Sequence, residues 1–160
     1  MPIIVTGTNM RQDIIEKIVQ QNINKEASHI QDKENRKKIA VLFTDIGGST
    51  NYIQIHGDQA GRLMLERHYT ASSEIIHEFG GNVVKKVADS AMAYFLSPED
   101  ALKSAIKLQQ RYYAYNHLRK ISDQVHIRIS VHFGYGIIEE NDISRDAINA
   151  ESWFIDTFSL

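Results

Sequence analysis

Two aspartates in this sequence stand where a carboxylate needs a compensating partner. Asp45 lies at the end of IAVLFTDI, an apolar run from Ile39 with the length and β-branched content of a strand buried on both faces. A carboxylate there loses hydration unless a metal, a cation or backbone donors compensate it. Asp89 lies in a tight turn between two predicted strands, 82–87 and 90–96. Paired aspartates suit divalent ions that hold a triphosphate and activate a hydroxyl for attack on phosphorus.

The turn after Asp45 has the composition of a phosphate-binding loop. Gly47, Gly48, Ser49 and Thr50 lead from the strand into a helix, and either hydroxyl can cap that helix. Such a turn leaves backbone N–H groups to bind phosphate beside a carboxylate suited to Mg²⁺. A structural interpretation stays open, in which Asp45 bonds the amides of residues 47–49 or caps the helix. Asp89 is likewise a common turn residue.

Alternating helix and strand patterns predict the scaffold that positions these groups. One helical pattern covers 63–79 and stops at Gly80 and Gly81, and a second opens with Ser97 as cap and Pro98 at the first helical position. The segment VHIRISVHFGYGIIEE predicts one or two strands, and 146–158 predicts a terminal helix. The order strand, helix, strand, strand, helix, strand is that of an α+β sandwich with a ferredoxin-like core. In that core the turn carrying Asp89 lies next to the end of the first strand.

Composition sets the broad class of the protein. The chain has 160 residues, 42% of them hydrophobic and 24% charged, which fits one globular domain. A net charge of −2 argues against a nucleic-acid partner. The absence of cysteine excludes disulfides and thiolate metal sites and fits a cytoplasmic location. No apolar run reaches the length of a membrane span, and the seven histidines show no ligand cluster, so we expect ordinary surface or core histidines.

The first 37 residues form a separate segment in this interpretation, and residues 38–160 form the domain. Apolar residues recur every three to four places in a polar background, which predicts an amphipathic helix between 11 and 35: Ile15, Val19, Ile23, Ala27 and Ile30. The solvated run QDKENRKK follows it and is typical of a linker. The helix therefore either packs on its own domain or connects and dimerises chains as a signalling helix.

Three segments carry a family resemblance: VLFTDIGGST, GGNVVKKVADSAMAYF and RISVHFGYGIIEENDISRDAINAES. In this order and spacing they resemble the signature segments of class III adenylate/guanylate cyclase catalytic domains, over roughly 39–152. The resemblance implies that Asp45 and Asp89 bind two Mg²⁺ or Mn²⁺ ions. Lys85 matches the base-recognising lysine and Asp142 its acidic companion, a pair that favours adenine. Because Lys86 is adjacent, the register stays open by one residue. Lys85 facing solvent and Asp142 solvating its loop also stay open as alternatives. Asn149 matches the asparagine that positions the ribose.

The sequence also departs from that family pattern. Trp153 stands four places after Asn149, where the family has its transition-state arginine, and an indole cannot neutralise charge on a phosphoryl group. Arg145 replaces a glycine in the preceding loop, so it either supplies the missing charge or marks a displaced loop. Ala88 and Ser90 replace the glycines of a Gly-Asp-Gly pattern. Since cyclase domains normally continue with further elements, we expect either a fragment or a domain shortened at the C-terminus.

The resemblance predicts metal-dependent conversion of ATP, with GTP less favoured, to 3′,5′-cyclic AMP and pyrophosphate in signal transduction. It implies a homodimer with the active site at the interface. Because of Trp153, a second interpretation stays open, a catalytically degenerate domain that binds nucleotide or dimerises in signalling. A ferredoxin-like RNA-binding module shares the strand order, but its stacking aromatics and basic strand face are not evident.

Overall fold

The computed structural model describes residues 8–140, 142–143 and 152–153. The chain divides into two compact units, residues 1–36 and 37–160, and each is described by itself. The first contains α1, Thr8–Glu34, a single helix of 27 residues that confirms the helix predicted between 11 and 35. Ile18, Val19 and Ile23 expose 47%, 49% and 51% of their surface, so this part of the apolar stripe is half open to solvent.

The second unit alternates strands and helices in the predicted order. Its elements are β1 Lys37–Gly47, α2 Ser49–His56, α3 Asp58–Glu78, β2 Asn82–Val87, β3 Ser90–Phe95, α4 Pro98–His117, a 3₁₀ turn Ile121–Asp123, β4 His126–Gly136, β5 Ile138–Glu139, β6 Asp142–Ile143 and β7 Ser152–Trp153. The main sheet has the strand order β2-β3-β1-β4-β7 and its paired strands run antiparallel. The order of the first four strands is the ferredoxin-like arrangement, which confirms the predicted fold class.

Local turn chemistry sets the ends of these elements. Gly80 follows α3 with φ of 74°, a left-handed conformation that glycine adopts without the clash a Cβ would cause. Ser97 caps α4 as predicted, accepting a hydrogen bond of 3.3 Å from the Asp100 amide, with Pro98 in the first turn. No helix within the described ranges is both long and apolar enough to cross a membrane.

The predicted C-terminal helix is wrong where the structure describes it. Ser152 and Trp153 form the short strand β7, which pairs with His132 and Val131 of β4. Backbone groups at the outer edge of β4 gain partners from this pairing, and that gain outweighs the local helical pattern. The rest of 146–158 lies outside the described residues.

The two faces of the sheet bury different clusters. Alternate residues of β1, including Ala40 and Leu42, pack under α3 and α4 in the larger core. Ile39 and Val41 point the other way and pack with Met92 in a smaller cluster. We call this second side, opposite α3 and α4, the distal face.

Candidate active site

The turn that carries Asp89 lies beside the C-terminal end of β1. The antiparallel register of β1 and β3 pairs Thr44 with Ala91, which brings the β2–β3 turn next to the segment that follows β1. Ser49 Oγ donates a hydrogen bond of 2.8 Å to Asp89 Oδ2 across this junction. The structure therefore joins the glycine-rich turn and the second aspartate, two segments 40 residues apart in sequence.

Asp45 has a cationic partner on the neighbouring strand. Arg128 of β4 stands opposite Asp45 and donates from Nε to Oδ1 at 3.0 Å and from Nη2 to Oδ2 at 2.8 Å. This two-point geometry is the strong form of the arginine–carboxylate pair. A guanidinium thus compensates the carboxylate that the sequence left without a partner. Its only sequence signal was an arginine at an alternating position of a predicted strand, which is too common to single out.

The turn after β1 differs from the capping expected from the sequence. Gly48 is the N-cap residue, with φ of 74°, and α2 begins at Ser49 with no side chain as cap. The expectation that Ser49 or Thr50 caps the helix is therefore wrong, since the Ser49 hydroxyl instead donates to Asp89. The first bond of the helix runs from the Tyr52 amide to the Gly48 carbonyl at 3.0 Å. Intrahelical bonding therefore does not use the amides of residues 49–51, which keep their capacity for an anion.

Lys85 and Lys86 take different directions from β2. A bulge between Val83 and Lys85 shifts the register, so that Lys85 pairs with Met92 of the distal face. Lys85 Nζ lies 2.8 Å from Asp142 Oδ1. The Lys86 ammonium instead sits 4.7 Å above the ring of Tyr69. The structure therefore pairs Lys85, rather than its neighbour, with the predicted acidic companion.

His68 of α3 contacts β1 from the helix side, directly behind the candidate site. His68 is 2% exposed, with Nε2 3.5 Å from Thr44 Oγ1 and Nδ1 2.8 Å from the hydroxyl of Tyr112. Burial lowers the pKa of His68, against smaller opposing effects of Thr44 and of the charges of Asp45 and Asp89. His68 is a hydrogen-bonded core histidine, one of the two kinds that the sequence led us to expect.

Two predicted positions lie outside the described residues, namely Asn149 and Arg145. Trp153 is described only as part of β7, opposite Val131. Within the described ranges, no group of three or more histidine, aspartate or glutamate side chains is placed to hold a metal ion.

The sheet order and the paired aspartate segments define a ferredoxin-like α/β domain with a polar site at the end of its first strand. Residues 31–145 match the adenylate and guanylate cyclase catalytic domain family. The chain belongs to this family, as the sequence motifs indicated.

Known proteins resemble the chain over 61–72% of its length. A cyclase/hydrolase from Silicibacter pomeroyi is 27% identical, with a TM-score of 0.60, covering 71% of this chain and 66% of its own. The adenylyl cyclase CyaB from P. aeruginosa shares the fold at 23% identity and a TM-score of 0.51, covering 72% of this chain and 69% of its own. The serine/threonine-protein kinase pkn2 of Myxococcus xanthus is 26% identical over 98 residues, which are 61% of this chain and only 12% of that protein.

Proposed function

We propose that this domain converts ATP to 3′,5′-cyclic AMP and pyrophosphate. Beyond family membership, one observation carries the choice of base, the contact of 2.8 Å between Lys85 Nζ and Asp142 Oδ1. A lysine donates to a ring nitrogen, and a carboxylate accepts from an exocyclic amine, which adenine offers on one edge. Guanine presents a carbonyl and a ring N–H on that edge, so the same pair opposes GTP.

The donor set at the end of β1 fits Mg²⁺ or Mn²⁺. Such ions commonly take one or two carboxylates and complete their coordination with water and substrate phosphates. Asp45 and Asp89 would hold two ions in this way, which does not require the larger cluster that the described residues lack. Bound ions supply positive charge to the triphosphate and make the ribose 3′-hydroxyl a better nucleophile.

The remaining groups bind and orient the substrate. The amides of residues 49–51, at the positive end of α2, bind phosphate oxygens beside Gly47 and Gly48. Arg128, displaced from Asp45, supplies a planar cation for the same phosphates. We assign Asn149 the orientation of the ribose, as the family resemblance implies.

We further propose that the active form is a homodimer with the active site at the interface. In this arrangement one chain supplies Asp45 and Asp89, and the other supplies Lys85, Asp142 and the segment around residue 149. The interface active site is proposed on the family resemblance. A guanylyl cyclase domain from Blastocladiella emersonii, which shares the fold at 17% identity and a TM-score of 0.59 and covers 71% of this chain and 70% of its own, is a non-canonical dimer in one crystal structure and monomeric in another.

A second candidate function is nucleotide binding or dimerisation without turnover. It is favoured by Trp153 at the position where the resemblance implies an arginine, because no cation would then stabilise the developing charge at that position. The ion pair of Asp45 with Arg128 also removes the need for a metal to compensate this carboxylate.

The test is cyclic nucleotide formation from ATP and GTP, with Mn²⁺ and with Mg²⁺, over a range of protein concentrations. We expect cyclic AMP formation that rises faster than linearly with protein and is lost in Asp45→Asn and Asp89→Asn. Glu78→Gln, which changes an exposed carboxylate of α3, is the matched control and should retain activity. Folded, dimeric protein that gives no product under any of these conditions would refute the enzyme and leave the second candidate.

A further inference from the structure

A groove on the helix side of the sheet is separate from the site proposed for nucleotide. It encloses about 480 Å³, within the range of small-molecule clefts. Residues of α2, α3 and α4 line it, among them Tyr52, Leu63, Arg67, Thr70, Arg111 and Tyr112. The groove therefore has the size and the aromatic, apolar lining of a ligand site.

The charges around the groove favour one negative group on the ligand. Two guanidinium groups, of Arg67 and Arg111, stand against one carboxylate, that of Glu66. Arg111 is already engaged by Glu74 at 3.1 Å. Arg67 is exposed and makes no ion pair or hydrogen bond with the residues that the structure describes. Leu63 exposes 47% of its surface, so the apolar wall is left to solvent beside this available cation.

A chain of polar contacts connects the groove to β1. Tyr112 lines the groove, and its hydroxyl lies 2.8 Å from Nδ1 of the buried His68. His68 Nε2 lies 3.5 Å from the hydroxyl of Thr44, which directly precedes Asp45. A ligand that displaces the Tyr112 hydroxyl therefore changes the hydrogen bonding behind the candidate active site.

We propose that this groove binds a small amphipathic anion, with an aromatic or aliphatic body and one carboxylate or sulfonate that pairs with Arg67. We propose also that binding of this anion in the groove changes the hydrogen bonds of Tyr112, His68 and Thr44 and thereby affects β1. A nucleotide polyphosphate does not fit this description, because one available guanidinium against Glu66 cannot balance several negative charges. The site is therefore distinct from the proposed ATP site, and binding at it does not depend on turnover.

The binding test uses 8-anilinonaphthalene-1-sulfonate, an aromatic monoanion, with the full chain. We expect saturable fluorescence enhancement with one probe per chain, about tenfold weaker binding in Arg67→Gln, and unchanged binding in Arg62→Gln, the exposed neighbour on α3 that does not line the groove. Thr70→Trp, at an exposed lining position, should fill the groove and exclude the probe. Equal affinity of the wild type and Arg67→Gln, or displacement of the probe by ATP, would overturn the proposed site.

The coupling test follows the His68 imidazole by nuclear magnetic resonance during the same titration. Probe binding should shift the His68 signals in the wild type, and Tyr112→Phe, which keeps the ring but removes the hydroxyl, should still bind the probe and lose most of the shift. A shift of equal size in Tyr112→Phe would show a ring-current effect of the bound probe and refute the polar connection. Neither measurement requires cyclase activity, so an inactive protein refutes only the proposed reaction.

Discussion

Replacing Arg128 by glutamine tests whether this arginine competes with metal ions for Asp45. The guanidinium bonds both carboxylate oxygens, at 3.0 and 2.8 Å, so an ion that binds Asp45 competes with it for the same negative charge. Glutamine removes the positive charge and keeps most of the side-chain length. We therefore expect Arg128→Gln to bind Mn²⁺ more tightly than the wild type when nucleotide is absent.

The size of this effect follows from the exposure of the pair. Asp45 and Arg128 side chains are 31% and 68% exposed, so solvent screens their attraction. Exposed ion pairs contribute ~0.2–1 kcal/mol, and the two-point geometry places this one near the upper end. A competitor worth about 1 kcal/mol weakens metal binding about fivefold. Arg128→Gln should therefore lower the Kd for Mn²⁺ by up to about fivefold and destabilise the fold by no more than about 1 kcal/mol.

In the presence of nucleotide, Arg128→Gln should weaken substrate binding, although it strengthens Mn²⁺ binding when nucleotide is absent. If Arg128 turns to the triphosphate once metal binds, its loss removes a charge-assisted contact and raises the KM for ATP about tenfold. Mn²⁺ binding is measured from the electron paramagnetic resonance signal of unbound ion. Arg111→Gln is the matched control, because it removes another exposed arginine–carboxylate pair, on the helix side of the sheet, at 3.1 Å. Unchanged or weaker Mn²⁺ binding in Arg128→Gln would refute the competition.

Four further substitutions or titrations test other parts of the structure. Gly48→Ala places a Cβ on a residue with φ of 74° and should destabilise the fold by ~1–2 kcal/mol in urea unfolding, whereas Gly47→Ala should cost less because its Cβ meets only an ordinary contact. Ala88, with φ of 51°, already bears that strain, so Ala88→Gly should raise the free energy of unfolding by up to ~1 kcal/mol; a loss would contradict the strained turn. Burial raises the pKa of Tyr112 to about 12, so a near-ultraviolet titration should show one late tyrosine that disappears in Tyr112→Phe. Burial lowers the pKa of His68, so the unfolded state binds a proton first as the pH falls through 6.5. The free energy of unfolding should therefore decrease below that pH, and His68→Gln should reduce the slope of this decrease.

Local sequence signals predicted most of the fold correctly. The ends of α3 and α4 depend on residues within one turn, such as Gly80 at one end and the Ser97–Pro98 cap at the other. The β2–β3 hairpin appeared at 82–87 and 90–95, because two apolar segments flank a short polar turn. Strand order followed from the order of the elements, since the ferredoxin-like arrangement has one common sheet topology.

Features that depend on long-range pairing could not be predicted in the same way. Arg128 meets Asp45 across 83 residues, and only the register of β1 with β4 brings them together. The Ser49 hydroxyl bonds Asp89 instead of capping α2, because Gly48 already provides the left-handed turn that starts this helix. Ser152 and Trp153 lie in a local helical pattern but pair with an edge strand that only the folded sheet supplies.

Arg128 and Ser49 provide partners for the two aspartates that the sequence alone did not identify. From sequence alone, a metal, a cation or backbone donors could each compensate Asp45, and crowded carboxylates without a metal would repel one another. In the structure Asp45 is paired with Arg128, and Asp89 accepts a hydrogen bond from Ser49. Each carboxylate therefore has a partner within the chain, a guanidinium for Asp45 and a hydroxyl for Asp89. Under the proposed function, a metal ion would bind here in competition with these contacts, and its occupancy would depend on the concentrations of ion and nucleotide.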